Sequence, residues 1–151
     1  MRIPVRPKKQ NGEGFCGVES LRIAFSYWKN GLPEEDLVGN CPILISIKDI
    51  REKGVDEEKM ADIAFYYKLS VDCKKHGTWI DLLYWHLDGF PIIVEWVSSR
   101  SLPPGLHYSV VSEIDKMVVE LADPEFGDFY HLQAEDFLRL WNGWMLVIGR
   151  R

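Results

Sequence analysis

The chain has 151 residues, 46% of them hydrophobic, and a net charge of −5. That length suits a single domain over residues 1–151 with a substantial core, and the acidic balance excludes a general electrostatic grip on nucleic acid. Residues 1–10 lack the apolar run of a signal peptide, and the longest apolar stretch, Pro91 to Val97, is far too short to span a bilayer.

A cytoplasmic protein without membrane insertion is therefore expected. Arg2, Arg6, Lys8 and Lys9 lead the chain, and residues 1–9 read as a flexible, solvated arm. A Gly-rich loop from Gln10 to Phe15 then ends at Cys16-Gly17. Val18, Leu21, Phe25 and Trp28 recur at three and four residues, which predicts a helix with one apolar face, stopped by Asn30-Gly31. Leu32 to Leu37 reads as a turn into a short helix, with Pro33 at its start and acids in its first turn. Ile43, Ile45 and Ile47 alternate as in a strand, but that stretch is short and poorly bounded. Met60, Ile63, Ala64 and Tyr67 share a face of a helix within Asp56 to Leu69. Thr78 is placed to cap a helix over Trp79 to Asp88, with Asp81 completing a capping box.

From Pro91 the period becomes that of strands. Pro91 to Val97, His107 to Glu113, Met117 to Asp123, Asp128 to Leu132 and Trp144 to Ile148 are the predicted strands, with a short helix over Ala134 to Leu140. Helices first and a mostly antiparallel sheet after them predict an α+β fold.

Four residues carry the chemistry. Cys16 falls at a helix start, where free N–H groups and the positive end of the dipole favour a thiolate. By itself a cysteine is more often a small buried apolar residue. Gln10, six residues upstream, can fold back across the loop and aim an amide donor near the sulfur, where an oxyanion would form. His107 follows a Pro-Pro-Gly loop and opens a strand. His86, His131 and His76 are weaker choices, lying within a helix, within a short strand and in a lysine-flanked turn.

Asp123 precedes Pro124 and alone would read as a turn starter. Strand register changes that. Pairing Glu113 with Met117 sets Val111 opposite Val119, Ser109 opposite Leu121 and His107 opposite Asp123. Opposed side chains lie about 4.5–5.5 Å apart at Cβ, close enough for a carboxylate to orient an imidazole. A slip of one residue would turn Asp123 to the other face. The pairing therefore requires a three-residue loop, Ile114-Asp115-Lys116, or a bulge that adds a residue. Cys73 and His76 have zinc-ligand spacing, but no second close-set pair exists and two lysines intervene. The odd number of cysteines, Cys16, Cys41 and Cys73, argues against a disulfide framework.

The order Gln…Cys-Gly…His-Tyr…Asp-Pro resembles the papain-like cysteine peptidases, and is most similar to the branch that trims double-glycine leader peptides from bacteriocin precursors. The matching pieces are Gln10 to Gly17, His107 to Val111, and Ala122-Asp123-Pro124. The resemblance implies a papain-like fold, with Cys16 as nucleophile, His107 as base and then acid, Asp123 as the orienting residue and Gln10 as oxyanion donor. Departures are Glu13-Gly14-Phe15 before the cysteine and Val18-Glu19-Ser20 after Cys-Gly. The family's domain is commonly fused to a membrane transporter, and no such segment occurs in these 151 residues. The expected activity is hydrolysis of a peptide or amide bond through a thioacyl-enzyme, with no metal or organic cofactor and a flexible peptide, small at the cut and delivered in trans, as substrate. An acyltransferase with the same residues, or a non-catalytic peptide-binding module, are the alternatives.

Overall fold

The structure, a computed structural model, describes residues 2–28, 41–43, 46–98, 100–101 and 104–150. Helix α1 (Cys16–Ser26) buries Val18, Leu21 and Phe25, so its apolar stripe is the one predicted. Gly14 makes the entry to it possible. Its φ is +82°, and a Cβ there would lie 2.0 Å from the Ile50 carbonyl oxygen, so no other residue fits. The short helix expected at Leu32 to Leu37 lies outside the described residues, as does Ile45. Ile43 sits in a turn and Ile47 opens helix α2 (Ile47–Lys53), capped by Ser46. Helix α3 (Glu57–Tyr66) starts at an Asp56 cap and buries Met60, Ile63 and Ala64.

Strand β1 (Ser70–Lys74) was not predicted. It is a polar edge strand that pairs on one side only, so it lacks the apolar alternation of its neighbours. Helix α4 (Trp79–Leu87) has the capping box of Thr78 and Asp81. The remaining elements are β2 (Ile92–Ser98), β3 (Gly105–Asp115), β4 (Val118–Asp123), β5 (Asp128–Gln133), α5 (Ala134–Leu140) and β6 (Trp141–Ile148), the last beginning three residues earlier than expected. The sheet is antiparallel throughout, in the order β1-β6-β2-β3-β4-β5.

Two apolar layers form because both sheet faces are covered. One face packs Ile93, Val110, Ala122 and Leu146 against residues from α1, α2 and α3. The other packs Val94, Val111, Leu121 and Val147 against Leu82 of α4 and Phe137 of α5. Residues 1–9 were expected as a solvated arm, and the structure corrects this. Ile3 and Val5 are buried in the first layer, and the Ile3 N–H donates to the Ser112 carbonyl at 2.7 Å. Arg2 and Arg6 stand on the alternate, outward side, so charge and core coexist in one extended segment.

The β3–β4 turn also differs from the expected three-residue loop. Asp115 pairs with Val118, so the turn is Lys116-Met117, with Lys116 at φ +55°. Ile114 pairs with Val119 and Glu113 with Glu120, but then Val111 pairs with Leu121 and Val110 with Ala122. Ser112 is the extra residue of a bulge. It reverses the face of everything upstream on β3, which is why Ile114 and Val111, three apart, share one apolar layer. The bulge satisfies its own polar groups. Ser112 Oγ donates to Glu120, the Ser112 carbonyl accepts from Ile3, and the Ile114 N–H goes to His86 Nε2 at 3.2 Å.

Candidate active site

Without the bulge, Asp123 would face Val110 and turn away from His107. With it, one step past the Val110–Ala122 pair sets Asp123 beside Ser109, and His107 lies two residues along on the same face. Diagonal neighbours of this kind are within reach of long side chains. The result is a 2.6 Å contact between His107 Nε2 and Asp123 Oδ1. Both groups are buried, Asp123 completely. Asp123 Oδ1 also accepts the Glu125 N–H at 2.9 Å, and Oδ2 accepts from Arg100 Nη2 at 2.8 Å.

Burial opposes charge on the His107 ring, but the hydrogen bonds to the Asp123 carboxylate and to the Cys16 sulfur outweigh it, raising the pKa to about 9. Burial likewise opposes charge on Asp123, yet His107, Arg100 and the Glu125 N–H together hold its carboxyl below the usual range. Since Nε2 is committed to Asp123, Nδ1 is the ring atom left for the Cys16 side. Cys16 is half-buried at the first turn of α1, where the helix N-terminus has no side-chain cap.

These shifts fix a pH dependence of stability. A histidine raised from 6.5 to about 9 in the folded state contributes fully below pH 6.5, and the contribution is lost as pH rises through about 9. Asp123 acts in the opposite sense, contributing above its ordinary value of 3.8 and losing that as pH falls. Thermal unfolding followed against pH is expected to show a decline between pH 6.5 and 9 that His107→Gln abolishes. The same alkaline decline in both proteins would detach it from His107.

Cys16, His107 and Gln10 line one cleft of about 690 Å³. The Gln10 amide donates one hydrogen to the Gly12 carbonyl at 2.8 Å, and its second hydrogen remains for the cleft. The Gln10 backbone is held in place by a 2.7 Å bond from its N–H to the Pro124 carbonyl, in the turn that follows Asp123. One turn thus anchors two of the four predicted residues. The other histidines serve elsewhere: His86 accepts from the sheet, His131 meets Glu120 at 2.7 Å, and neither lines the cleft. The Cys73 and His76 pair also lies off the cleft. The ligand-type atoms of His107, Asp123 and Glu125 lie within 4.8 Å of one another: Asp123 is hydrogen-bonded to His107, and the Glu125 carboxylate stands 3.9 Å from His107 Nε2.

Several cleft residues went unpredicted. Glu57 at the start of α3 is raised to about 7, by burial first and then by the adjoining Glu95 carboxyl. Glu95, nearly buried on β2, accepts from Asn142 at 2.5 Å. Burial and the Glu95 charge both keep the Tyr108 phenol protonated. No local pattern marks Glu95, since it alternates into the sheet face like an apolar residue.

A sulfur at a helix start, facing an imidazole held by a carboxylate on an antiparallel sheet, is the arrangement of a papain-like cysteine hydrolase. The model of the Peptidase C39 family matches residues 5–151, and the chain belongs to that family of cysteine peptidases. Among curated proteins none matches the chain. Two solved structures share the fold. A double glycine motif protease from an AMS/PCAT transporter, in complex with the leader peptide, matches with a TM-score of 0.73 at 20% identity, over 99% of this chain and 94% of that one. The peptidase domain of Streptococcus ComA, a bifunctional ABC transporter of a quorum-sensing pathway, matches with a TM-score of 0.73 at 15% identity, over 97% and 99%. Among the described residues no helix is long and apolar enough to cross a membrane.

Proposed function

We propose that this peptidase cleaves a flexible peptide segment, of the double-glycine leader kind, through Cys16, His107, Asp123 and Gln10. The observation that carries the reading is the 2.6 Å His107–Asp123 contact opening onto the cleft that Cys16 lines. With the ring pKa raised to about 9, His107 Nδ1 holds the thiol proton before attack, and the Cys16 sulfur adds to the scissile carbonyl as the thiolate of that pair. The oxyanion meets the Gln10 amide and the Cys16 N–H. The C–N bond breaks as His107 returns the proton to the leaving amine, and a thioester remains on Cys16. Water, deprotonated by His107, then adds to the thioester, and the C–S bond breaks to release the acid. Asp123 holds the imidazole tautomer and steadies its positive charge. The leader peptide bound to the AMS/PCAT protease supports a peptide of that class as substrate here.

Thiol labelling combined with peptide cleavage tests it. Near pH 6, iodoacetamide is expected to modify Cys16 first and to stop cleavage of a Gly-Gly peptide in step with that modification. Cys41 is buried, and burial first, with the negative Asp72, pushes up the Cys73 thiol. Equal labelling of the three, or inactivation that tracks Cys73, would remove Cys16 as nucleophile.

A further inference from the structure

Arg100 lies in the β2–β3 connection, 23 residues from Asp123 and 28 from Asp128, yet it meets both. Its Nη1 donates to Asp128 Oδ2 at 3.0 Å and its Nη2 to Asp128 Oδ1 at 2.5 Å. The second hydrogen of Nη2 goes to Asp123 Oδ2 at 2.8 Å. The guanidinium plane sits between two rings, 4.2 Å from the Phe126 centroid and 4.1 Å from that of Tyr130. A planar fork with two carboxylates and two aromatic faces has almost no freedom left, and a lysine could not reproduce it. Beside it, Ser101 Oγ donates to the Glu125 carboxylate, so the connection is tied to the β4–β5 turn at two points.

We propose that Arg100 is a positioning residue of the catalytic machinery: by occupying Oδ2 of Asp123 it locks that carboxylate in the orientation in which Oδ1 meets His107. This rests on the reading that Cys16, His107 and Asp123 perform the reaction. Asp123 has no access to water, so without Arg100 one of its oxygens would be buried and unpaired. A carboxylate that is free to rotate or tilt would relieve that cost at the expense of the His107 contact. Misplacing a catalytic group by about 1 Å costs on the order of 10²-fold in rate. The charged and titratable groups against the ring are Cys16 of α1, Asp123 of β4 and Glu125 of the turn. Arg100 reaches the ring only through Asp123.

That arrangement gives two opposite signs to measure. If Arg100 acted merely as a nearby positive charge, neutralising it would make imidazolium easier to form, and the His107 midpoint would rise. If Arg100 orients Asp123, its loss weakens the contact that stabilises imidazolium, and the midpoint falls. The experiment is Arg100→Met and Arg100→Lys, each with a substrate-free NMR titration of the His107 ring and with kcat and KM on a Gly-Gly peptide. Expected for both variants are a midpoint moved down from about 9 toward 6.5 and a kcat lowered about 10²-fold with KM nearly unchanged. A midpoint that rises or stays, or an unchanged kcat, overturns the proposal. The titration needs no substrate, so an inactive wild type with a lowered midpoint in the variants would refute the peptidase reading and still support the positioning role. Should both variants fail to fold, Asp128→Asn, at a half-exposed side chain, loosens Arg100 from the other end and is expected to move the midpoint the same way by less. No movement there would overturn it.

Discussion

Cys16→Ala is expected to lower turnover by roughly 10⁶-fold, His107→Ala by about as much, and the double variant by no more than either. The reason is that in the proposed mechanism the two groups act in one event. Without the sulfur there is nothing for the imidazole to deprotonate, and without the imidazole neither attack nor departure of the amine has a proton carrier. Residues that act as a unit give losses that do not add. The structure makes the substitutions clean. Cys16 is only partly buried and packs at the margin of its apolar layer, so Ala removes the sulfur and leaves the helix start in place. His107 is nearly buried beside Trp96, so His107→Gln is the companion variant that keeps more of the packing. Peptide affinity, measured directly on Cys16→Ala, is expected to stay near that of the wild type, since the alanine removes only the reacting atom. Independent losses that multiply in the double variant would mean that sulfur and ring serve separate steps. Substantial residual cleavage in Cys16→Ala would mean that the nucleophile lies elsewhere.

Much of this site was legible in the sequence because each residue sits where local rules have force. Cys16 follows a glycine loop at the onset of an unambiguous helical period. His107 and Asp123 stand at strand ends, and alternation limits which faces they can share. Parity allowed two ways to bring them together, a longer turn or a bulge, and the chain uses the bulge. Ser112 carries no mark of this. A serine within an alternating run looks like any outward residue, and what makes the bulge stable is remote: Glu120, His86 and the Ile3 N–H. The N-terminal segment was misjudged for a related reason. Four cations dominate residues 1–9, whereas Ile3 and Val5 are only two apolar positions, and their burial depends on a strand far along the chain. Arg100 was invisible altogether. It lies in a loop with no period, and its role comes from contacts across 23 and 28 residues. Helices and strands are written in neighbouring residues, while the polar groups that steady them are not.

Gln10→Ala is expected to lower kcat by about 10²–10³-fold while leaving KM nearly unchanged. The proposed donor meets charge that exists only after the sulfur has attacked, so its loss is felt in the transition state and not in the bound substrate. The backbone at this position is fixed independently of the side chain, through the Gln10 N–H to Pro124 and the pairing of that turn with Asp123. Gly127 extends the same anchor. A Cβ there would come 2.9 Å from the Lys9 Cβ, so the turn and the segment leading to Gln10 pack backbone to backbone. Ala at position 10 therefore deletes an amide without releasing the loop. The competing role is visible too. Gln10 Nε2 donates to the Gly12 carbonyl, and a residue that merely braced the Gly loop would show its loss as a lower unfolding temperature and a higher KM. Gln10→Glu removes both donations and adds a charge. A carboxylate cannot donate, and its negative charge would oppose the oxyanion, so turnover is expected to fall further than with Ala. If Ala changes KM and unfolding temperature with kcat intact, Gln10 braces the loop and the oxyanion must find its donors elsewhere.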